Sequence, residues 1–346
     1  MWWGMFCRLL TTNGWFSLSP VNPHLSTFPP MKFLSMKQAF KWMGLALGSI
    51  LLLAGLLAAF VAFSPLPAYP DVPLREVSIE ATPELVEHGQ KLVMMSCAGC
   101  HMPEHSQQLI GMLHPDADSR AMGMVHNANL TQHREHGIGL YNEAELYRLL
   151  RTGVKRDGRL SLPIMPRMPH SAERDVEAII AFLKSDHPAV QAHPTQHPPY
   201  QPTFLARMLA TLAWKPLPYP SEPVPEPSPQ RVVDYGRYLL QHRYGCFVCH
   251  SGDITRVNHQ QPELTPNYLG GGHVFNMAYP EEAYAIAAPS LLADGNTAQW
   301  TEAQFISALL WGQRPSGMPY QRPMHPYTMM DSSEARAIWQ YLQTVE

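Results

Sequence analysis

A histidine set directly after a Cys-x-x-Cys pair, twice and within the same helical plan, most constrains what this chain can fold into. Residues 96–101 read SCAGCH and residues 245–250 read GCFVCH, so Cys97, Cys100 and His101 recur as Cys246, Cys249 and His250. The surroundings repeat too. VEHGQKLVMMSCAGCH (86–101) corresponds to VDYGRYLLQHRYGCFVCH (233–250), with Gly236 matching Gly89. YNEAELYRLLRTG (141–153) aligns without gaps to WTEAQFISALLWG (300–312). Each of these opens on an N-cap residue, Asn142 or Thr301, with Glu145 or Gln304 three residues on as capping partner. Each closes on a glycine, Gly153 or Gly312, the usual helix stop. Finally, DVEAIIAFLKS (175–185) matches SEARAIWQYLQT (333–344), with Ile179, Phe182 and Leu183 at helical spacing, as are Ile338, Tyr341 and Leu342. Each repeat therefore reads as three helical segments joined by long loops. Strand-like alternation is almost absent, and the expected class is mainly α.

The 346 residues leave room for two such units and extra segments. Of 34 prolines, twelve fall between residues 188 and 229, which reads as an extended linker. Within it, FLARMLATLAW (204–214) is expected to form a short helix, on a domain or on a membrane surface. A net charge of -3 gives no reason to expect nucleic acid. Residues 42–63, WMGLALGSILLLAGLLAAFVAF, carry no charge and are long enough to cross a bilayer as a helix. Arg8, Lys32, Lys37 and Lys41 precede this run and no basic residue follows until Arg75. That asymmetry puts the N-terminus in the cytoplasm and everything after Phe63 in the periplasm. The run exceeds the apolar region of a signal peptide, and Ala62-Phe63-Ser64 followed by Pro65 makes a poor cleavage site, so a retained anchor is expected. Residues 1–30 show neither period nor clear charge, whereas MKFLSMKQAFKWMG from Met31 or Met36 reads as an ordinary start. Translation is expected to begin there, and Cys7, upstream, is given no role. The expected plan is a cytoplasmic segment 1–41, an anchor 42–63, a linker 64–83, a first domain 84–186, a proline-rich linker 187–230 and a second domain 231–346.

Four chemistries use paired cysteines. A disulfide is allowed in an oxidising compartment. A redox dithiol would sit beside a βαβ pattern, which this chain lacks. Structural zinc would have to join the two pairs across the proline-rich stretch and would leave both histidines unexplained. Covalent c-type haem explains all three residues at once: the thiols add to the porphyrin vinyls and the histidine ligates iron. The expected cofactors are two covalently bound haems c, on Cys97 and Cys100 with His101, and on Cys246 and Cys249 with His250. A sixth ligand is sought between the second and third helical segments. LPIMPRMPH offers Met165, Met168 and His170; GMPYQRPMHPY offers Met318, Met324 and His325. Met165 and Met324 each fall shortly before the last helix beside proline and are preferred, with Met168 and Met318 the alternatives; a thioether there raises the potential and closes the site. The other histidines read as surface or linker residues. Tyr141 and Trp300 at equivalent positions pack either on a haem edge or in an ordinary core.

On these residues the chain resembles the class I cytochrome c domain twice over, across about 84–186 and 231–345. In that family the first and last helices cross at a glycine (here Gly89 and Gly236) with an aromatic nearby (Phe182 and Tyr341). The stretch NLTQHREHGIGLYNEAELYRLLRTGVKRDGR (129–159) is similar to a segment of bacterial dihaem cytochromes, including cytochrome subunits of membrane-bound sugar and alcohol dehydrogenases. APSLLADGNTAQW (288–300) replaces that segment in the second repeat, so a different loop is expected there. The resemblance implies low-spin His/Met haems and electron transfer, with redox partners such as a dehydrogenase, a quinol-oxidising complex or a terminal oxidase. The rival function is a redox enzyme. A peroxidase-like protein needs one open iron, and a thiosulfate-oxidising type needs a cysteine ligand that only Cys7 could supply, from the wrong side of the membrane.

Overall fold

The computed structural model describes residues 35–278, 283–293, 295 and 297–345. The expectations on residues 1–30 and Cys7 lie outside the described residues. The chain divides into two compact bodies at Leu56–Leu57. The first holds most of helix α1 (Met36–Phe63), which is long and apolar enough to cross a membrane. Its leucines, including Leu51, Leu52 and Leu53, are exposed.

The second body is mostly helical and contains both repeats. In the first, α2 (Pro83–Ser96) starts where the Thr82 side chain accepts a hydrogen bond from the Leu85 amide, with Pro83 in the first turn. It runs into α3 (Ala98–His101), then α4 (Glu143–Thr152) and α5 (Glu173–Leu183) follow. The linker helix α6 (Phe204–Leu212) comes next. The second repeat is built from α7 (Val232–Tyr238), α8 (Cys246–Cys249), α9 (Glu302–Trp311) and α10 (Ser332–Leu342). The capping boxes on Asn142/Glu145 and Thr301/Gln304 are both formed, and both helices end at a left-handed glycine, Gly153 and Gly312, as read from the sequence.

Both repeats are organised by the same crossing. A Cβ on Gly89 would stand 1.9 Å from the Ala178 carbonyl oxygen of α5 and 2.8 Å from Phe182 Cβ. On Gly236 it would stand 1.9 Å from the Ala337 oxygen of α10 and 3.0 Å from Tyr341 Cβ. Only glycine lets the backbones approach this closely, and Val93, Ala178 and Phe182 close the first crossing with no measurable exposure. In an ordinary helix Gly→Ala would be favourable by about 1 kcal/mol. Here Gly236→Ala is expected to destabilise the protein by about 3 kcal/mol, because backbone must move. A denaturant midpoint equal to wild type would contradict the crossing.

Two features depart from the helical plan. Gly236 and Cys246 are two residues further apart than Gly89 and Cys97, and the excess coincides with a π turn at Leu239–Arg243 and a left-handed Gly245. The second repeat also contains an antiparallel ribbon, β1 (Val274–Ala278) with β2 (Ala283–Ala287), pairing Val274 with Ala287 and Ala278 with Ala283. The sequence reading had no strands there. AYAIA alternates with small residues, so its period carries little hydrophobic contrast. An isolated bridge joins Met277 of β1 to Asp116 of the first repeat.

Candidate functional site

The four motif cysteines are free, half-buried thiols. Burial pushes Cys97 up to about 12, as it does Cys246 and Cys249, and it raises Cys100 as well. Burial therefore disfavours a free thiolate at these positions. Cys249 is raised by burial first and then by Cys100 of the other repeat. His325 of the second repeat lies 3.0 Å from the Met95 oxygen, two residues before Cys97.

Each motif ends on a buried histidine whose rear nitrogen is engaged. His101 Nδ1 lies 2.8 Å from the Ala128 oxygen, and His250 Nδ1 lies 2.9 Å from the Pro289 oxygen. A carbonyl only accepts, so Nδ1 carries the proton and Nε2 keeps its lone pair for a metal. Burial lowers both imidazole pKa values and favours the neutral ring that a ligand requires. The carbonyls are held by matching frameworks. Gly111 donates to the His101 oxygen and Leu130 to the Leu109 oxygen, both at 2.8 Å. Gly271 donates to the His250 oxygen and Leu291 to the Leu269 oxygen, again at 2.8 Å. The second loop thus differs in sequence and carries the β-ribbon, yet it anchors its histidine as the first does. Sequence reasoning missed Ala128 and Pro289, because a backbone acceptor has no side-chain signature.

Met165 and Met324 occupy equivalent places. Met165 donates its amide to the Leu162 oxygen at 3.0 Å, and Met324 to the Gln321 oxygen at 3.1 Å. Three residues on, Met168 donates to Leu150 and Tyr327 to Leu309, both at 2.8 Å. The register that pairs Tyr141 with Trp300 and Phe182 with Tyr341 therefore holds through the loops. Under it Met168 falls opposite Tyr327, and Met318 opposite Arg159. Met318 is 62% exposed, whereas Met165, Met168 and Met324 pack against the core, as do Tyr141 and Trp300. His170 and His325 face the other repeat: His170 Nε2 is 2.9 Å from Gln260 Oε1, and His325 Nε2 is 3.0 Å from the Met95 oxygen. The remaining histidines are not all peripheral, contrary to the sequence reading. His242 and His259 sit half-buried, and burial lowers each to about 4, with His170 adding to the first and Arg167 to the second.

A buried ion network joins the repeats. Arg243, carried by the π turn, makes two bonds to Asp175 of α5, at 2.8 and 2.9 Å, and others to Glu226 at 2.6 Å and Glu334 of α10 at 3.1 Å. His88 and Tyr238 also bond Asp175. Lys91 of α2 reaches Asp331 and Glu334. Asp175 and Glu334 are equivalent in the repeat register, so each repeat's last helix is gripped by a cation or hydroxyl of the other.

Residues 86–186 match the protein-family model described as Cytochrome c. This segment is a cytochrome c domain. It implies covalently bound haem c and a role in electron transfer, and the pocket fits: paired apolar thiols beside a neutral imidazole whose Nε2 is available. The chain is 27% identical over 272 residues to a nicotinate dehydrogenase subunit of Pseudomonas putida, covering 76% of this chain and 21% of that protein. It is 25% identical over 203 residues to the cytochrome c subunit of the quinone-dependent alcohol dehydrogenase of Gluconacetobacter polyoxogenes, covering 56% and 42%. It is 24% identical over 316 residues to the fructose dehydrogenase cytochrome subunit of Gluconobacter japonicus, covering 87% and 58%. The chain thus spans between about a fifth and three fifths of these curated relatives, and all three matches extend over more of it than residues 86–186 alone.

Proposed function

We propose that this chain is a membrane-anchored, periplasmic dihaem cytochrome c that carries single electrons. One helix, 42–63, tethers it to a bacterial inner membrane with the N-terminal segment in the cytoplasm. Residues 84–186 and 231–346 form two haem domains joined by the linker 187–230. The observation that carries this reading is the doubled imidazole: His101 and His250 each follow a CxxC pair, and each is turned by a backbone carbonyl so that Nε2 is available.

Cys97 and Cys100 would hold one haem and Cys246 and Cys249 the other, by thioether bonds. His101 with Met165, and His250 with Met324, would ligate the two irons. When bound, haem supplies a one-electron iron couple whose potential follows axial ligation and burial. Ala128 and Pro289 fix the imidazole tautomers. Leu109 and Leu269, fully buried beside the histidine loops, help exclude water. The contact of His325 of the second domain with the Met95 oxygen, two residues before Cys97, supports passage of electrons within the chain, and the Arg243 network holds the two domains together. The relatives named as cytochrome subunits of dehydrogenases support a dehydrogenase as electron donor, with a quinol-oxidising complex or a terminal oxidase among the other partners.

Met165→Ala and Met324→Ala are each expected to lower one of two potentials and open one iron to cyanide or carbon monoxide, while Met168→Ala and Met318→Ala leave both unchanged. Redox titration with ligand binding checks this. Opening by Met168→Ala would overturn the ligand assignment in the first domain.

A further inference from the structure

The linker helix α6 is built with its apolar side turned outward. Ala206, only 1% exposed, faces the protein, while Phe204, Leu205 and Leu212 are 50%, 40% and 56% exposed. On a helical wheel these three lie on one arc with Met208 and Leu209. A surface helix of a water-facing domain normally shows the reverse, large apolar side chains in and polar ones out. The helix is also held firmly in place. The Thr203 hydroxyl caps its first turn and donates to the Ala121 oxygen at 2.6 Å, and the Thr203 amide bonds Met122.

What covers this face is indicated by where α6 is tied. Arg207 donates to the backbone oxygen of Ser64 at 3.2 Å, and Ser64 directly follows the last residue of α1. The Tyr69 hydroxyl donates to the Trp214 oxygen at 3.1 Å, and the Lys215 ammonium lies over the Tyr69 ring. A tryptophan, a tyrosine and two cations thus gather beside the end of the apolar run, the residue types that favour the boundary between hydrocarbon and water. The headgroup layer there is roughly 5–7 Å deep. A helix joined through one arginine side chain to the first residue past the span starts within reach of that layer.

We propose that α6 is an interfacial helix lying in the outer surface of the bilayer that α1 crosses, with Phe204, Leu205 and Leu212 inserted among the lipids, so that the haem domains are held in one orientation to the membrane rather than swinging on a tether. The proposal rests on the membrane-anchor reading above.

The test uses the full chain in vesicles of phosphatidylethanolamine and phosphatidylglycerol. The photoreactive residue p-benzoylphenylalanine is placed singly at positions 52, 204, 212 and 318, and adducts are identified by mass spectrometry. Lipid adducts at 204 and 212, with none at exposed position 318, are the expected result. Position 52, within α1, reports on the anchor itself. Lipid adducts at 52 but not at 204 or 212 would overturn the interfacial helix and leave the anchor standing. Adducts from 204 and 212 to a second copy of the chain would overturn it in favour of self-association. Adducts at 204 and 212 without any at 52 would overturn the proposal through the anchor reading on which it rests, and lipid adducts at none of the three would remove both.

Discussion

Arg243→Met is expected to destabilise the folded protein by about 3–5 kcal/mol, the usual cost of removing one partner from a buried ionic cluster. The side chains of Arg243, Asp175 and Glu334 are 2%, 0% and 5% exposed, so the carboxylates left behind could not be rehydrated without opening the junction between the repeats. The structure already shows how closely the charges balance. Burial acts to raise the Asp175 carboxyl, yet hydrogen bonds from His88 and Arg243, the Arg243 charge and the Tyr238 hydroxyl hold it at about 2. A carboxyl lowered on folding stabilises the fold fully above its ordinary range near 3.8, and this contribution is lost as the pH falls from there towards 2. Wild type should therefore lose stability across that window. Urea unfolding at neutral pH checks the substitution, and a loss below about 1 kcal/mol would mean the cluster is hydrated rather than buried. A complementary Asp175→Asn variant should lose less than Arg243→Met, because it leaves a neutral amide beside a cation that keeps Glu226 and Glu334.

His250→Ala and His101→Ala are each expected to convert one haem of two from low-spin to high-spin, removing about half of the low-spin ferric signal while the thioether bonds keep the haem attached. The reason is local. On the proposed assignment each imidazole is the one ligand its motif would bring to the iron, and its Nδ1 bond to Ala128 or Pro289 leaves Nε2 available for it. Electron paramagnetic resonance of the two variants checks the expectation. An unchanged low-spin spectrum in either would remove that histidine from the ligand set.

The parts of this architecture legible in the sequence are those written in short-range chemistry. The CxxCH motifs, the capping boxes at Asn142 and Thr301, the helix stops at Gly153 and Gly312, and the crossing glycines all depend on residues a few positions apart or on one missing side chain. The parts that escaped depend on how distant segments meet. Arg243 looks like any surface arginine until the π turn carries it against Asp175, sixty-eight positions away. The β-ribbon hid behind alanines that give no hydrophobic contrast. The extent of α6 was readable to within two residues, but not which of its faces turns outward, because helical periodicity identifies an apolar side without saying what it meets.

The central claim, two closed His/Met haems on one chain, is tested most directly by an absorption spectrum of the purified full-length protein matured with haem-attachment machinery, together with haem per chain. The account predicts two haems per chain and, in the oxidised form, the weak red band of methionine bound to ferric iron at full strength for both. One haem per chain, or two with that band halved and high-spin features present, would contradict it; the second outcome would leave one iron open and shift the function towards a peroxidase-like enzyme.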